Sequence, residues 1–358
     1  MDGTIYTVYG RDGAAMAKEL LAAANIAAEI PEHAVISLKP NLVTDSPAAN
    51  GATTHPEILA GIIEYLFENG RKNVRIIEGS WVGTGTGSAF AKSGLAALGK
   101  RYSVPLFDTK KDETVAVDTP EGPIKICKLA LESDYLINLP VLKGHCQTVM
   151  TCALKNLKGV IPDSEKRRFH TMGLHRPIAA LAAAVRPHLT IVDSLSGDLT
   201  FEEGGNPVET ERMMLGRDPV KLDVYGCHLM GIDPMRVGYI PLAEKYGAGS
   251  MALAEGDIVE LNRPTAPQAH RRTGLVETLT KRVTERAACS ACYGNLVHAL
   301  YRLSEEGRGY RGPVCIGQEF QGKSGDVGIG LCCKNFVRSA RGCPPTAAAI
   351  KAFLSEGT

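Results

Sequence analysis

Along residues 1–280, short β-branched runs alternate with Ala- and Leu-rich amphipathic stretches, and few architectures accommodate that alternation. The pattern predicts strands over Ile5–Tyr9, Ala34–Leu38, Val74–Glu78, Tyr135–Leu139 and Leu189–Asp193. Between them it predicts helices over Ala14–Ala28, Pro56–Asn69, Ile178–Val185 and Asp218–Met230, with apolar positions three and four apart. Strands that alternate with helices favour an α/β fold, with a mainly parallel sheet covered by helices on both faces. Ligands of such sheets bind beyond the carboxyl ends of the strands, so the residues just after each strand carry the most information about function.

Those residues are unusually polar. Ile36-Ser37-Leu38 runs into Lys39-Pro40-Asn41, and Thr53-Thr54-His55-Pro56 opens the next helix. Ile76-Ile77 ends in Glu78-Gly79-Ser80-Trp81, followed by Gly83-Thr84-Gly85-Thr86-Gly87. Asn138-Leu139-Pro140 leads to Lys143-Gly144-His145, then to Lys155-Asn156-Leu157-Lys158-Gly159, to His170, and later to Asp193 and Asp198. Each residue alone has an ordinary explanation. A lysine after a strand is commonly solvated, Thr-Thr-His-Pro can cap a helix, and the glycine run lacks the Lys-Ser/Thr ending of a phosphate loop. Together, Lys39, Lys143, Lys155 and Lys158 with His55, His145 and His170 describe a locally positive pocket suited to a small carboxylate or phosphate. Its histidines would be poised for proton transfer. His145, His170, Glu78 and Lys143 are the candidate catalytic residues. Lys39, Asn41, Thr54, His55, Ser80, Lys155 and Asn156 are the candidate substrate-binding residues.

The last seventy residues speak a different language. They hold six of the ten cysteines: Cys289 and Cys292 as Cys-x-x-Cys, then Cys315, Cys332, Cys333 and Cys343 before Pro344-Pro345. A Cys-x-x-Cys with a distant Cys-Pro suits an iron–sulfur cluster, and nearby glycines let backbone N–H groups approach cluster sulfurs. Cys289, Cys292, Cys332 and Cys343 are the expected ligands of a [4Fe-4S] cluster, with Cys333 and Cys315 as alternates. Zinc, which favours two close pairs, and free buried thiols are the competing readings. Residues 281–358 are thus expected to form a small Cys-rich subdomain, set off from the α/β part at 1–280 by the charged, Pro- and Thr-rich stretch 260–286. In it, 287–303 and 346–354 read as helices and 307–333 as a strand–loop–strand.

Charge and hydropathy narrow the partners. Forty Lys and Arg against thirty-nine Asp and Glu give no general field for nucleic acid or anionic membrane. No apolar run approaches the length of a membrane span, and the N-terminus reads directly into a strand, so a cytoplasmic location is expected. A small anionic substrate, an electron carrier such as a ferredoxin, and a second copy of the chain in a homodimer are the expected partners.

The runs Lys39-Pro40-Asn41-Leu42, Thr53-Thr54-His55-Pro56-Glu57, Ile77-Glu78-Gly79-Ser80, Asn138–His145, Leu154–Gly159, Gly204-Gly205-Asn206-Pro207 and Gly231-Ile232-Asp233-Pro234 resemble domain-of-unknown-function family 362. The likeness is dense over residues 30–240. The tail, with Cys289-x-x-Cys292 and Gly342-Cys343-Pro344-Pro345, resembles the family's iron–sulfur-cluster-binding members. A more distant, fold-level likeness links the Lys–His and Lys–Asn blocks to nickel-pincer lactate racemase, which implies a hydroxy- or oxo-acid in a cleft. The cysteine tail departs from that enzyme's pattern. The expected function is therefore an iron–sulfur enzyme, a lyase, dehydratase, desulfurising enzyme or oxidoreductase, acting on a small anion. An electron-transfer protein and a cluster-stapled redox-sensing module are the alternatives.

Overall fold

The computed structural model describes residues 3–266 and 274–356. Its centre is an eight-stranded sheet in the order Ile258–Glu260, Ile5–Tyr9, Pro207–Gly216, Leu189–Asp198, Tyr135–Leu139, Ile36–Pro40, Val74–Glu78, Leu106–Asp108. Pro207–Gly216 runs antiparallel to both neighbours, and the other pairings are parallel. The expected α/β class with a mainly parallel sheet is what the chain adopts.

Period-2 alternation sorts the side chains. Ile36, Leu38, Tyr135, Ile137, Ile191 and Leu215 enter one apolar core beneath the helices Gly13–Ala23, Pro56–Glu68 and Leu95–Tyr102. Leu136, Val192 and Met214 enter the core on the opposite face, with His175–Val185, Pro219–Leu229 and Tyr239–Lys245. The helix starts follow local chemistry. Asp12 accepts from the backbone N–H groups of Ala14 and Ala15, and Asp218 from those of Val220 and Lys221, with Pro219 in the first turn.

Some expected boundaries shift. The first helix stops at Ala23, because Asn25 turns left-handed (φ 51°) and only a 3-10 turn, Ile26–Ala28, follows. The strand expected over Leu189–Asp193 continues to Asp198, because Pro207–Gly216 returns antiparallel beside it. The stretch expected to separate the two parts instead begins in the sheet: Glu260 ends the edge strand that pairs with Ile5–Tyr9. It also contains the helix Leu275–Leu279; its residues 267–273 lie outside the described residues.

The tail has its own four-stranded parallel sheet, Val283–Glu285, Val314–Ile316, Val327–Ile329 and Arg338–Ala340. Its core gathers Leu296, Val297, Leu300, Ile316, Ile329 and Ile350 around the helices Ser290–Glu305 and Ala347–Ser355. Among the described residues no helix is long and apolar enough to cross a membrane.

Candidate active site

The carboxyl ends of Ile36–Pro40, Val74–Glu78 and Tyr135–Leu139 open into a cleft of about 620 Å³, its mouth included. Lys143, Lys155, Lys158, Lys166, Glu78, Glu202 and His170 line its polar part. Leu42, Val43, Trp81 and Val82 form an apolar wall, and Cys289, Ser290 and Ala291 of the tail close it.

Behind the cleft lies a lattice of buried amides. Lys143 Nζ donates to Asn41 Oδ1 (2.7 Å) and to the carbonyl of Ala52 (2.5 Å). Asn41 Nδ2 donates to Asn156 Oδ1 (2.7 Å), and Asn156 Nδ2 to Asn138 Oδ1 (2.8 Å). Asn138 Nδ2 ends the chain on the carbonyl of Ala153 (2.9 Å). Buried amides that all find partners fix one another's orientation, so Asn41 and Asn156 present a rigid floor. Thr54 helps from beneath: its Oγ1 accepts from Asn41 N (2.7 Å) and donates to the Leu139 carbonyl (2.7 Å), tying the loop after one strand to the end of the next.

Lys39 and Glu78 form a fully buried pair at 2.5 Å. Burial pushes the Lys39 ammonium down and the Glu78 carboxyl up, each partly offset by its partner, so the pair is neutral as a unit whichever side holds the proton. Gly159 permits this packing, since a Cβ there would run into the Glu78 carboxylate.

Lys155 and Lys158 sit three residues apart where the helix Ala153–Asn156 passes into the 3-10 turn Leu157–Val160. Asp223 anchors the start of this helix, accepting from Ala153 N at 2.6 Å. Lys155 Nζ pairs with Glu202 Oε2 (3.1 Å). Among the described residues the Lys158 ammonium has neither a hydrogen bond nor an ion pair. Burial, with like charge from Lys155, pulls Lys158 down to about 7. Burial likewise brings Lys143 to about 7 and Lys166 to about 8. Lys166 Nζ donates to the carbonyls of Gly79 and Ser80, both at 2.8 Å.

The expected polar residues separate into groups. Asn41, Glu78, Ser80, Lys143, Lys155, Asn156 and His170 line the cleft, with Lys39 directly behind Glu78. His145 does not face it. Its Nδ1 accepts from the backbone N–H groups of Gln147 (3.0 Å) and Thr148 (3.1 Å), while Nε2 abuts Glu202. Burial takes its pKa to about 3, so His145 is a neutral support for Glu202. His55 and Thr54 also stand away from the cleft. His55 N and Nδ1 both bond Asp193 Oδ2 at 2.8 Å, and burial, which would lower its pKa, is outweighed by Asp193, which raises it. His170 is the histidine at the cleft. Its Nε2 accepts from Ser290 N (3.3 Å), and its buried Nδ1 has no partner among the described residues. Burial, with positive charge from Lys158, holds it neutral.

Glu202 and Lys166 were not among the sequence-derived site residues. Glu202 sits in the loop after the strand Leu189–Asp198, whose last residue organises it: Asp198 Oδ1 accepts from Thr200 N and Phe201 N, and Oδ2 from Asn206 N, each at 2.9 Å. An Asp followed by a Gly-Gly-Asn turn is the signal that could have flagged this loop. Lys166 lies in the charged helix Asp163–Thr171, where it reads as one more exposed side chain.

In the tail, Cys289 precedes the helix Ser290–Glu305 and lies within electrostatic reach of Cys332 and Cys343; Cys292 is within reach of Cys289, Cys332, Cys333 and Cys343. Burial raises Cys289 to about 11. Cys332 and Cys333 diverge. Cys333 is fully buried and turned to the carbonyl of Cys315, whereas Cys332 remains half-exposed. Gly330 lies beside Cys292 Sγ, and Gly83 of the α/β part packs against Cys343 and Pro344, so the glycine run docks the tail. Among the described residues no group of three or more His, Cys, Asp or Glu side chains is arranged to hold a metal ion.

The model of the family "domain of unknown function (DUF362)" matches residues 36–228, which contain every cleft-lining residue outside the tail. The thylakoid-associated protein sll1697 of Synechocystis sp. is 26% identical over 253 residues, covering 68% of this chain and 74% of that protein. The lactate racemase apoprotein of Thermoanaerobacterium thermosaccharolyticum aligns with a TM-score of 0.45 at 16% identity over 65% of this chain, which spans 59% of the racemase. With more than half its length matched by the family model, the chain belongs to the DUF362 family.

Proposed function

We propose that this protein is an iron–sulfur enzyme that acts on a small anionic metabolite held in the lysine-lined cleft. The observation that carries the reading is the shared wall: Cys289 and Ser290 of the cysteine tail line the same cleft as Lys158, Lys166 and His170.

The donor set suits such a group. Cys289 and Cys292 lie within electrostatic reach of each other and of both Cys332 and Cys343, and Gly330 leaves backbone open beside Cys292. No site for a single metal ion is preformed among them, whereas cluster ligands bind separate irons and need only converge on one group. Cys332 is the better ligand of the adjacent pair, since Cys333 is committed to the tail core. When bound, the cluster would supply Lewis-acid or one-electron chemistry.

The chain's own residues would do the rest. Lys143, Lys158 and Lys166 bind and orient the anion. Asn41 and Asn156 fix its position. His170, neutral and with Nε2 occupied by Ser290 N–H, carries its proton on Nδ1 and can donate it to a ligand oxygen. Glu78, raised by burial and held as the carboxylate by the Lys39 ammonium, can accept a proton from the ligand and give it back. Lyase, dehydratase, desulfurising and redox reactions all fall within this equipment. A cytoplasmic setting and an electron carrier as partner belong to the same proposal.

The test is iron and sulfide analysis after anaerobic purification, with visible absorption and activity toward small oxo- and thio-acids. Near-stoichiometric iron and sulfide, lost in C289S, supports the reading. Stoichiometric zinc without iron overturns it.

A further inference from the structure

The cleft's charges do not balance. Lys39, Lys143, Lys155, Lys158 and Lys166 gather around two cleft-lining carboxylates, Glu78 and Glu202, both already committed; Asp163, which attracts Lys166, and Asp198 and Glu203, which attract Lys143, form no ion pair with them. Glu78 pairs with Lys39 at 2.5 Å, and Glu202 with Lys155 at 3.1 Å. The other neighbour of Glu202, His145, contributes no positive charge while neutral. Lys143, Lys158 and Lys166 are therefore left without an ion-paired carboxylate, all of them lining one cavity, and an anion bound there would favour their charged forms.

Their hydrogen bonds show how many contacts remain. An ammonium has three N–H donors. Lys143 spends two on Asn41 Oδ1 and the Ala52 carbonyl, leaving one. Lys166 spends two on the carbonyls of Gly79 and Ser80, also leaving one. Lys158 spends none on any described residue. Neutral carbonyls orient the buried Lys143 and Lys166 ammonium groups but do not cancel their charge, and Lys158, only partly buried, can meet a ligand directly. Lys158 feels the positive charge of both Lys155 and Lys166 and the negative charge of Glu202. The opposite wall is Leu42, Val43, Trp81 and Val82, which suits a short carbon frame.

We propose that the cleft's ligand is a small dianion, with two negative charges on a short carbon frame, as in a dicarboxylate or a phosphate monoester. This rests on the reading of the cleft as an anion site and sharpens it. A single carboxylate would leave two of the three lysines without an anionic partner; a dianion leaves one. Lys158, with every donor unspent, is the residue that distinguishes a dianion from a monoanion.

The experiment is calorimetric titration of the full chain, purified anaerobically, with matched monoanion and dianion probes: acetate against malonate, butyrate against succinate, and dimethyl phosphate against glycerol 3-phosphate. Malonate or succinate, or glycerol 3-phosphate, should bind at least tenfold more tightly than its partner. Whichever head group wins identifies the source of the charge. K158M should bring the dianion's affinity down toward the monoanion's without lowering the circular-dichroism melting temperature; K158R, which keeps the charge, should retain most of the preference and guards against a folding artefact. Equal affinity within each pair, or a preference untouched in K158M, overturns the dianion assignment and spares the anion-site reading. No binding by any probe overturns both.

Discussion

Glu202 and Glu203 are neighbours in sequence, yet they face different parts of the molecule. Glu202 meets His145 and Lys155 at the back of the cleft, whereas Glu203 packs against Gly294 and lies 3.7 Å from His298 on the tail helix. Burial, with the nearby Glu202 charge, raises the Glu203 carboxyl to about 8. One loop thus touches both the cleft and the element that begins with the Cys-x-x-Cys.

Asp198 holds that loop through three backbone N–H groups. Replacing it by Ala orphans these donors, at about 1–3 kcal/mol for each that stays buried and unsatisfied. D198A should therefore lower stability by several kcal/mol in urea unfolding and weaken anion binding, because Glu202 loses its position. An unchanged anion affinity in folded D198A would show that the loop does not position the cleft.

The Lys39–Glu78 pair should behave as a unit. Removing one partner, as K39M or E78L, leaves a buried group uncompensated and should cost about 3–5 kcal/mol, while the double variant should recover much of the loss. Urea unfolding of the four proteins tests this. Additive losses would contradict a paired role. G159A, whose methyl would collide with the Glu78 carboxylate, should resemble E78L.

Stability of the ligand-free protein should rise in mild alkali. Lys143 titrates near 7 in the folded chain because it is buried, but near 10.4 when unfolded. Between those values the unfolded chain binds more protons, so stability increases with pH and is lost as pH falls through about 7. Moving from pH 7 to pH 9 should add about 2 kcal/mol from this group alone. Urea midpoints at the two pH values measure it, and K143M should reduce the rise by about that amount, leaving the share of Lys158 and Lys166. An equal rise in K143M would remove Lys143 from the explanation.

The adjacent cysteines should separate cleanly. C332S should lose most bound iron, as should C289S, C292S and C343S, whereas C333S and C315S should keep it. Iron content per chain after anaerobic purification decides this. Loss of iron in C333S with retention in C332S would reverse the assignment.

The parallel sheet was legible in the sequence because buried strands such as Tyr135–Leu139 are continuous apolar runs between amphipathic helices. Pro207–Gly216 was not, since it begins with Pro-Val-Glu-Thr-Glu-Arg and looks polar until its partner is known. Half-exposed at its start, it becomes buried only from Thr210 onward. The strand-end lysines were legible by position alone, but their roles were not. Nothing in Lys143-Gly144-His145 says that the lysine faces the cleft and the histidine supports Glu202, because that depends on a turn at Gln147–Thr148 and a loop fifty residues later. Lys166 escaped for the same reason. Its partners are two backbone carbonyls, Gly79 and Ser80, which carry no residue-type signature.

The most direct test of an iron–sulfur group working beside an anion cleft is the EPR spectrum of the dithionite-reduced protein, recorded with and without malonate and glycerol 3-phosphate. A cluster signal perturbed by one of these dianions in the wild type, and unperturbed in K158M, is the result predicted here. A cluster signal that no small anion alters, or the absence of any iron-based signal from protein that contains zinc instead, would contradict it.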